Sequence, residues 1–182
     1  MKTLDVAYYT SPLGRLLLLA EGDALVALEF TDGVNRLPVV RAQLARAIGE
    51  FTQRETRDPA GAATRLERYF AGDLAALDEQ PVQLHGTAFQ RRVWLALRAI
   101  PAGETRGYGE LAATIGSPNS SRAVGAANGS NPVAIIVPCH RVIAADGSLH
   151  GYGGGLERKQ WLLAHEGAPV RSVRAAAQLA LA

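Results

Sequence analysis

The chain has 182 residues, 48% hydrophobic and 20% charged, which is typical of a globular protein and excludes a disordered chain. No apolar run approaches the roughly 20 residues of a membrane helix, and the N-terminus lacks the apolar segment of a signal peptide. A single cysteine allows no internal disulfide, which agrees with a cytoplasmic location, and four histidines without ligand spacing predict no metal site.

The charge differs between the two halves of the chain. Residues 1–80 carry nine Lys/Arg against twelve Asp/Glu, whereas residues 81–182 carry ten against five. A basic C-terminal half indicates contact with a polyanion, although a chance surface bias explains these numbers equally well. We expect an N-terminal domain over 1–82, a C-terminal domain over 83–170, and a frayed or disordered tail over 171–182.

The first half is predicted to combine strands with helices. Three apolar runs separated by turn-forming residues, at 6–10, 14–21 and 24–30, predict an antiparallel meander. An Ala/Leu/Arg-rich stretch with helical spacing follows over 38–72. A short strand over 80–86 then leads into the second half.

The second half is predicted to be mostly helical. Thr87 and Gln90 form a capping box at the start of a helix that ends before Pro101. A shorter helix over roughly 107–115 and another within 117–132 are joined by a Gly-Ser-Pro-Asn turn, which is typical of a helix-turn-helix.

An active-site segment and a closing helix complete the predicted fold. The run at 133–137 predicts a buried strand, 144–148 a turn, 151–155 a flexible glycine hinge, and 156–167 the last helix. The fold class is therefore α+β: an N-terminal antiparallel sheet with helices, and a mostly helical C-terminal domain with a helix-turn-helix and a short active-site strand or loop.

The second helix of the pair has a nearly bare surface. Arg122 precedes small apolar residues, and the only other polar side chain, Asn128, lies near the end of the helix. Such a helix reads few base edges but approaches DNA closely, which suits a minor groove about 6 Å wide. The predicted DNA-binding residues are Ser121, Arg122, Ala123, Gly125 and Ala126. The alternative is a helix packed against a neighbour inside the protein.

The only cysteine, Cys139, is followed directly by His140 and Arg141. Because cysteine reacts as the thiolate, these basic neighbours suggest a thiol with a lowered pKa. Glu166, at the end of the last helix, could orient the histidine and complete a triad of nucleophile, base and orienting acid. A buried, inert cysteine and a thiol hydrolase remain the alternatives.

Three motifs together resemble one known family. PCHRV at 138–142, RAVGAANGSNP at 122–132 and GYGGGLERKQWLLAHEG at 151–167 strongly resemble the O6-alkylguanine-DNA alkyltransferases, most of all the bacterial constitutive type. The resemblance runs from residue 87 to about 167, and the N-terminal half agrees more loosely.

The resemblance implies a DNA-repair mechanism. An O6-alkylguanine is flipped out of the duplex and its alkyl group moves to Cys139, with His140 acting as base through a water and Glu166 polarising the histidine. Arg122 would fill the gap left by the flipped nucleotide. Each molecule acts once, because a thioether sulfur is a poor leaving group. No cofactor or zinc is expected, and the protein is expected to be a monomer.

Further site residues also follow from the resemblance. Tyr108 would donate to the departing purine, and Asn131 would link the helix pair to the cysteine loop. The expected base pocket consists of Tyr108, Asn128, Val142, Tyr152 and Gly153. Some members carry serine in place of Gly153, which suggests a roomier pocket here, open to larger alkyl groups or O4-alkylthymine. A non-catalytic lesion-binding protein and a cysteine hydrolase are the competing functions.

Overall fold

The computed structural model describes residues 1–32 and 36–169. Three strands, β1 (Lys2–Ser11), β2 (Gly14–Glu21) and β3 (Ala24–Phe30), form the predicted antiparallel meander. Their core face is nearly continuous in leucine and valine, and this burial holds the sheet against the helices.

A fourth strand, absent from the sequence prediction, makes the sheet mixed. Helix α1 (Leu37–Ile48) is followed by β4 (Phe51–Glu55), which pairs parallel with β1 in the order β3-β2-β1-β4. The prediction of helical spacing over 38–72, broken only near residues 57–61, is therefore wrong at this strand. All of β4 after its first residue is exposed at the sheet edge, so the strand carries no apolar alternation to reveal it.

The rest of the N-terminal half is helical and irregular. Helix α2 (Ala62–Phe70) packs under the sheet, and a 3-10 turn follows at Leu74–Leu77. The strand predicted over 80–86 is reduced to a single bridge between Val82 and Leu25. Proline at position 81 has no N–H to continue a ladder, which accounts for this difference.

The C-terminal half contains the expected helices. They are α3 (Ala88–Arg98), α4 (Tyr108–Thr114), α5 (Ser121–Gly129) and α6 (Leu156–His165). The Thr87–Gln90 capping box at α3 is confirmed. Two-residue strands β5 (Arg106–Gly107) and β6 (Val142–Ile143) pair in parallel beside the helix pair.

The buried segment before the cysteine is a turn and not the predicted strand. Val133 makes one bridge to Leu28, after which the chain turns through Ile135, whose φ is 68°. The amide of Val137 then donates to the carbonyl of Val133 at 3.0 Å. A short apolar run between two prolines does not distinguish a strand from another buried conformation, because an unbroken apolar run has no polar–apolar alternation from which a strand can be recognised.

The active-site segment rests directly on the N-terminal sheet. The Leu28 amide donates to the Pro132 carbonyl at 2.9 Å, and the Ala134 amide donates to the Leu28 carbonyl at 2.9 Å. One continuous core cluster spans both halves of the chain, from β2 and β3 to α3 and Cys139. The fold is thus α+β, with an N-terminal mixed sheet and a C-terminal helical part. No helix in the described part of the chain is both long and apolar enough to span a membrane.

Candidate active site around Cys139

Cys139 begins a 3-10 turn, Cys139–Arg141, deep in the fold. Only 5% of the residue is exposed. Burial raises the pKa of its thiol, while a hydrogen bond from Asn131 and the charge of Arg36 act in the opposite direction. The expectation that His140 and Arg141 lower this pKa is wrong, because both side chains hydrogen-bond to Glu166 instead.

The structure brings His140 and Glu166 together, as the sequence suggested. The Nε2 atom of His140 lies 3.0 Å from Oε1 of Glu166, and both side chains are fully buried. Because an ionised carboxylate only accepts hydrogen bonds, Nε2 must carry the proton and Nδ1 is left as an acceptor. Burial lowers the pKa of His140, so the ring is neutral near neutral pH. Its Nδ1 is buried and has no hydrogen-bond partner among the described residues.

Two residues absent from the sequence-based site fix the carboxylate. Arg141 donates from Nε to Oε2 and from Nη2 to Oε1 of Glu166, both at 2.9 Å, and its third nitrogen donates to the Ile100 carbonyl. The hydroxyl of Tyr69, on α2, donates to Oε1 at 2.7 Å. Burial raises the pKa of Glu166, but hydrogen bonds from His140 and Arg141 outweigh it and hold the value at about 2.

Asn131 and Asn128 tie the end of α5 to the cysteine segment. The Nδ2 of Asn131 donates to the Val137 carbonyl at 2.8 Å, and its Oδ1 accepts from the Val133 amide at 3.0 Å. Asn128 is buried, and its Nδ2 lies 3.4 Å from the Cys139 carbonyl oxygen. The Asn131 bonds are the link between helix pair and cysteine loop that the resemblance implied.

Helix α5 combines an exposed face with a buried one. Arg122, Ala123 and Ala126 are exposed, whereas Val124 and Ala127 belong to the core. The small residues therefore serve both purposes considered from the sequence, a bare outer surface and close packing inside.

Helix α5 lies against the neighbouring helix α4 at a distance that leaves room for a Cβ atom at either glycine of the contact. A Cβ atom at Gly125 would lie 3.8 Å from the ring of Tyr108, the first residue of α4. Ser121, at the other end of the contact, would lie 3.8 Å from a Cβ at Gly109. Burial and the nearby Cys139 thiolate raise the pKa of Tyr108, so its phenol stays protonated.

The middle of the glycine-rich loop at 151–155 is packed against neighbouring side chains, whereas Gly151 and Gly155 at its ends have open space around them. A Cβ at Gly154 would lie 2.7 Å from the Tyr152 ring and 2.9 Å from the Phe30 ring. The Tyr152 ring centre is 6.4 Å from that of His140, and its hydroxyl is buried without a partner in the described chain. Burial and then the Cys139 thiolate raise the pKa of Tyr152.

The space beside Gly153 is filled by an arginine from the other half of the chain. A Cβ at Gly153 would lie 2.8 Å from Cδ and 3.1 Å from Cζ of Arg36. The expectation that this glycine leaves a roomier pocket is therefore wrong for this conformation. Sequence reasoning had no signal for this contact, since the two residues are far apart in the chain.

A buried lysine, also missed from the sequence, supports the strand after the cysteine. Lys159 on α6 is fully buried, and its Nζ donates to the carbonyls of Val142 at 2.6 Å and His150 at 2.8 Å. Burial lowers its pKa to about 8. The Val142 carbonyl, expected in the base pocket, thus already accepts one hydrogen bond.

Two further sequence-based expectations concern a metal site and the C-terminal tail. Within residues 1–32 and 36–169, no cluster of three His, Cys, Asp or Glu side chains could hold a metal ion. The predicted tail over 171–182 lies outside the described residues.

Known proteins resemble the chain over almost all of its length. The ribonuclease-like domain of 6-O-methylguanine DNA methyltransferase matches residues 5–84, and the DNA-binding domain of the same protein matches residues 88–168. A methylated-DNA–protein-cysteine methyltransferase of Salmonella typhimurium is 57% identical over 86% of this chain and 92% of its own. One of Mycobacterium tuberculosis is 48% identical over 84% of this chain and 86% of its own.

Solved structures share both the fold and much of the sequence. The crystal structure of Mycobacterium tuberculosis OGT in complex with DNA has a TM-score of 0.72 and 44% identity, covering 92% of this chain and 95% of the other. The O6-methylguanine methyltransferase of the same organism has a TM-score of 0.72 and 43% identity, covering 94% and 97%. The chain therefore belongs to the family of O6-methylguanine-DNA methyltransferases, which repair DNA by transferring an alkyl group to a cysteine of the protein.

Proposed function

We propose that Cys139 accepts the alkyl group of O6-alkylguanine in a single, irreversible transfer. The observation that carries this proposal is the count of cysteines: the family methylates a cysteine, and this chain has one. That cysteine directly precedes the buried His140, whose ring is held by Glu166. The product is a thioether at Cys139. Because a thiolate is a poor leaving group, the alkyl group stays on the sulfur and each molecule reacts once.

The histidine supplies the base that the buried thiol requires. Because burial favours the neutral thiol, the proton must be removed as the sulfur attacks. Neutral His140 has its Nδ1 lone pair free to take that proton, directly or through a water. The carboxylate of Glu166, kept ionised by Arg141, then stabilises the imidazolium that forms.

The second half of the transfer concerns the leaving guanine. The sulfur forms a bond to the alkyl carbon as the bond from that carbon to O6 breaks, and the electron pair stays on the purine. Tyr108 donates its phenolic proton or a hydrogen bond to neutralise this charge. Tyr152 lies edge-on against His140 and Tyr108 begins α4, and we place the flipped guanine between these two side chains.

The remaining pocket is proposed from the cysteine segment and the loop that follows it. Asn128, Val142 and Gly153 would contribute to its walls, with backbone carbonyls of Cys139 and Val142 accepting from the guanine amino group. A carbonyl has two lone pairs, so the hydrogen bond from Lys159 leaves the Val142 oxygen able to accept a second one.

Helix α5 is the proposed DNA-contacting element. Its bare surface suits close, sequence-indifferent contact with the minor groove of double-stranded DNA, and the exposed Arg122 would replace the flipped nucleotide in the stack. The other contacting residues are Ser121, Ala123, Gly125 and Ala126. A solved relative from Mycobacterium tuberculosis is in complex with DNA, which supports DNA as the partner of this chain.

The type of methyltransferase, its domains and its oligomeric state are proposed as well. The motifs at 122–132, 138–142 and 151–167 support the bacterial constitutive type. We further propose a support domain over 1–82, a DNA-binding and alkyl-acceptor domain over 83–170, and a cytoplasmic monomer.

A turnover count tests the proposed single transfer. The protein is incubated with a tenfold excess of duplex containing O6-methylguanine, and repaired guanine is counted against protein. We expect one repaired base per protein molecule and none with Cys139→Ser. Binding without repair would instead support a lesion-binding protein. Repeated turnover, or hydrolysis of a thiol-sensitive ester, would support a hydrolase.

A further inference from the structure

Arg36 reaches from the N-terminal half of the chain into the wall of the active site. It immediately precedes α1, and its Nη2 donates to the carbonyl of Asn131 at 3.3 Å. Its Nε lies 3.5 Å from Oε2 of Glu29 on β3. Only 14% of the Arg36 side chain and 2% of the Glu29 side chain are exposed, so this ion pair is largely shielded from solvent.

The Arg36 side chain occupies the space that any residue other than glycine would need at position 153. The Cδ and Cζ atoms of Arg36 lie within 3.1 Å of that Cβ position. Gly153 directly follows Tyr152, whose ring packs edge-on against His140. The Arg36 side chain therefore lies against the loop that walls the proposed base pocket, and its methylene chain limits the volume available there.

Arg36 is also tied to the cysteine segment, because it donates to the carbonyl of Asn131, whose side chain in turn donates to the carbonyl of Val137. Of the groups that act on Cys139 through their charge, Arg36 on one side and Lys159 of α6 on the other lower the pKa of the thiol, and Glu29 raises it. A thiolate forming at Cys139 is therefore stabilised by one member of the pair and opposed by the other. Neither residue belongs to the histidine–carboxylate network around Glu166.

We propose that Arg36 is a specificity-determining residue of the alkyl pocket: its side chain limits the size of the alkyl group, and its charge stabilises the attacking thiolate. Size limitation rests on the proposed function, because it requires Tyr152 and Gly153 to wall the pocket that receives the alkylated base. The charge effect requires only the position of Arg36 relative to Cys139.

Size limitation is tested by comparing two lesions in the same duplex, O6-methylguanine and O6-benzylguanine. Arg36→Ala removes both volume and charge, whereas Arg36→Met keeps most of the volume and Arg36→Lys keeps volume and charge. We expect Arg36→Ala to raise the ratio of benzyl to methyl transfer rates about tenfold, a normal effect for pocket volume. Arg36→Met and Arg36→Lys should leave the ratio within about twofold of the wild type.

The charge effect is tested on the free protein, without DNA. Iodoacetamide alkylation of Cys139 as a function of pH reports the pKa of the thiol. Glu29→Gln is compared with the double variant Glu29→Gln/Arg36→Met, so that no buried carboxylate is left unpaired. We expect the pKa to be about one pH unit higher in the double variant, in line with the loss of a nearby opposite charge. Glu29→Gln alone should lie below the wild type.

The two measurements also separate the inference from the proposed function. An unchanged benzyl-to-methyl ratio in folded Arg36→Ala, or equal thiol pKa values in Glu29→Gln and the double variant, would overturn the inference. A wild-type protein that repairs no O6-methylguanine would overturn the proposed function, and the iodoacetamide comparison would still report whether Arg36 acts on the thiol. Thermal unfolding verifies that each variant is folded.

Discussion

Replacing Arg141 with methionine tests how the site holds its buried carboxylate. The substitution removes two hydrogen bonds to Glu166 and one to the Ile100 carbonyl, while methionine keeps much of the apolar volume. Glu166 would then remain buried with only Tyr69 and His140 as partners. Breaking a buried ion pair from one side costs about 3–5 kcal/mol, because the other charge is left uncompensated.

The titration of Glu166 gives an independent magnitude. Its pKa lies at about 2 in the folded protein, against an ordinary value of 4.5. At about 1.4 kcal/mol per pH unit, this difference stabilises the folded state by about 3 kcal/mol at neutral pH. This figure is the net effect of burial, His140 and Arg141, so it gives only the order of magnitude, and we expect Arg141→Met to lower the free energy of unfolding by about 3 kcal/mol at pH 7.

Urea unfolding at several pH values is the assay. Because the depressed pKa stabilises the protein above pH 4.5 and this contribution is lost as the pH falls towards 2, the deficit of Arg141→Met should shrink in acid. The double variant Arg141→Met/Glu166→Gln leaves no buried charge and should recover a large part of the stability. A deficit below about 1 kcal/mol, or a double variant no more stable than the single one, would refute the reasoning.

Three further predictions concern the same network and the DNA surface. Tyr69→Phe removes one hydrogen bond to a charged acceptor, so urea unfolding should show a loss of about 1.5–3 kcal/mol; an unchanged midpoint would contradict this bond. Between pH 4.5 and 2, the free energy of unfolding of the wild type should fall by about 3 kcal/mol more than that of Glu166→Gln, because only the wild type has the carboxyl with the lowered pKa. Parallel pH profiles of stability for the two proteins would contradict a lowered pKa of Glu166. Arg122→Ala should slow duplex repair at least about tenfold but leave the reaction with free O6-benzylguanine within about twofold, since only the duplex requires flipping; equal losses would contradict an intercalating role.

The helices of the C-terminal half were predictable because their signals are local. The Thr87–Gln90 capping box and helical spacing are readable within a few residues, and the structure has the helix where they place it. Strand β4 was not predictable in the same way, since its side chains face solvent at a sheet edge. The turn at 133–137 is dictated by contacts with β3, which lies more than a hundred residues earlier.

The site shows the same division between local and tertiary information. The sequence indicated the group of Cys139, His140 and Glu166, which the structure brings together. The sequence wrongly suggested that His140 and Arg141 lower the pKa of the Cys139 thiol. Adjacency in sequence does not reveal that both side chains point to the carboxylate of Glu166. Tyr69 and Arg36 reach the site from the other half of the chain, and only the folded arrangement could identify them.

The central claim is that the sulfur of Cys139 receives the alkyl group with help from the buried His140. The most direct measurement is fragment mass spectrometry of the protein after reaction with a duplex containing a deuterated O6-methylguanine. The account predicts one labelled methyl group per chain, located on Cys139, and strongly slowed labelling in His140→Phe. A label on any other residue, or a label at full rate without the histidine, would contradict it.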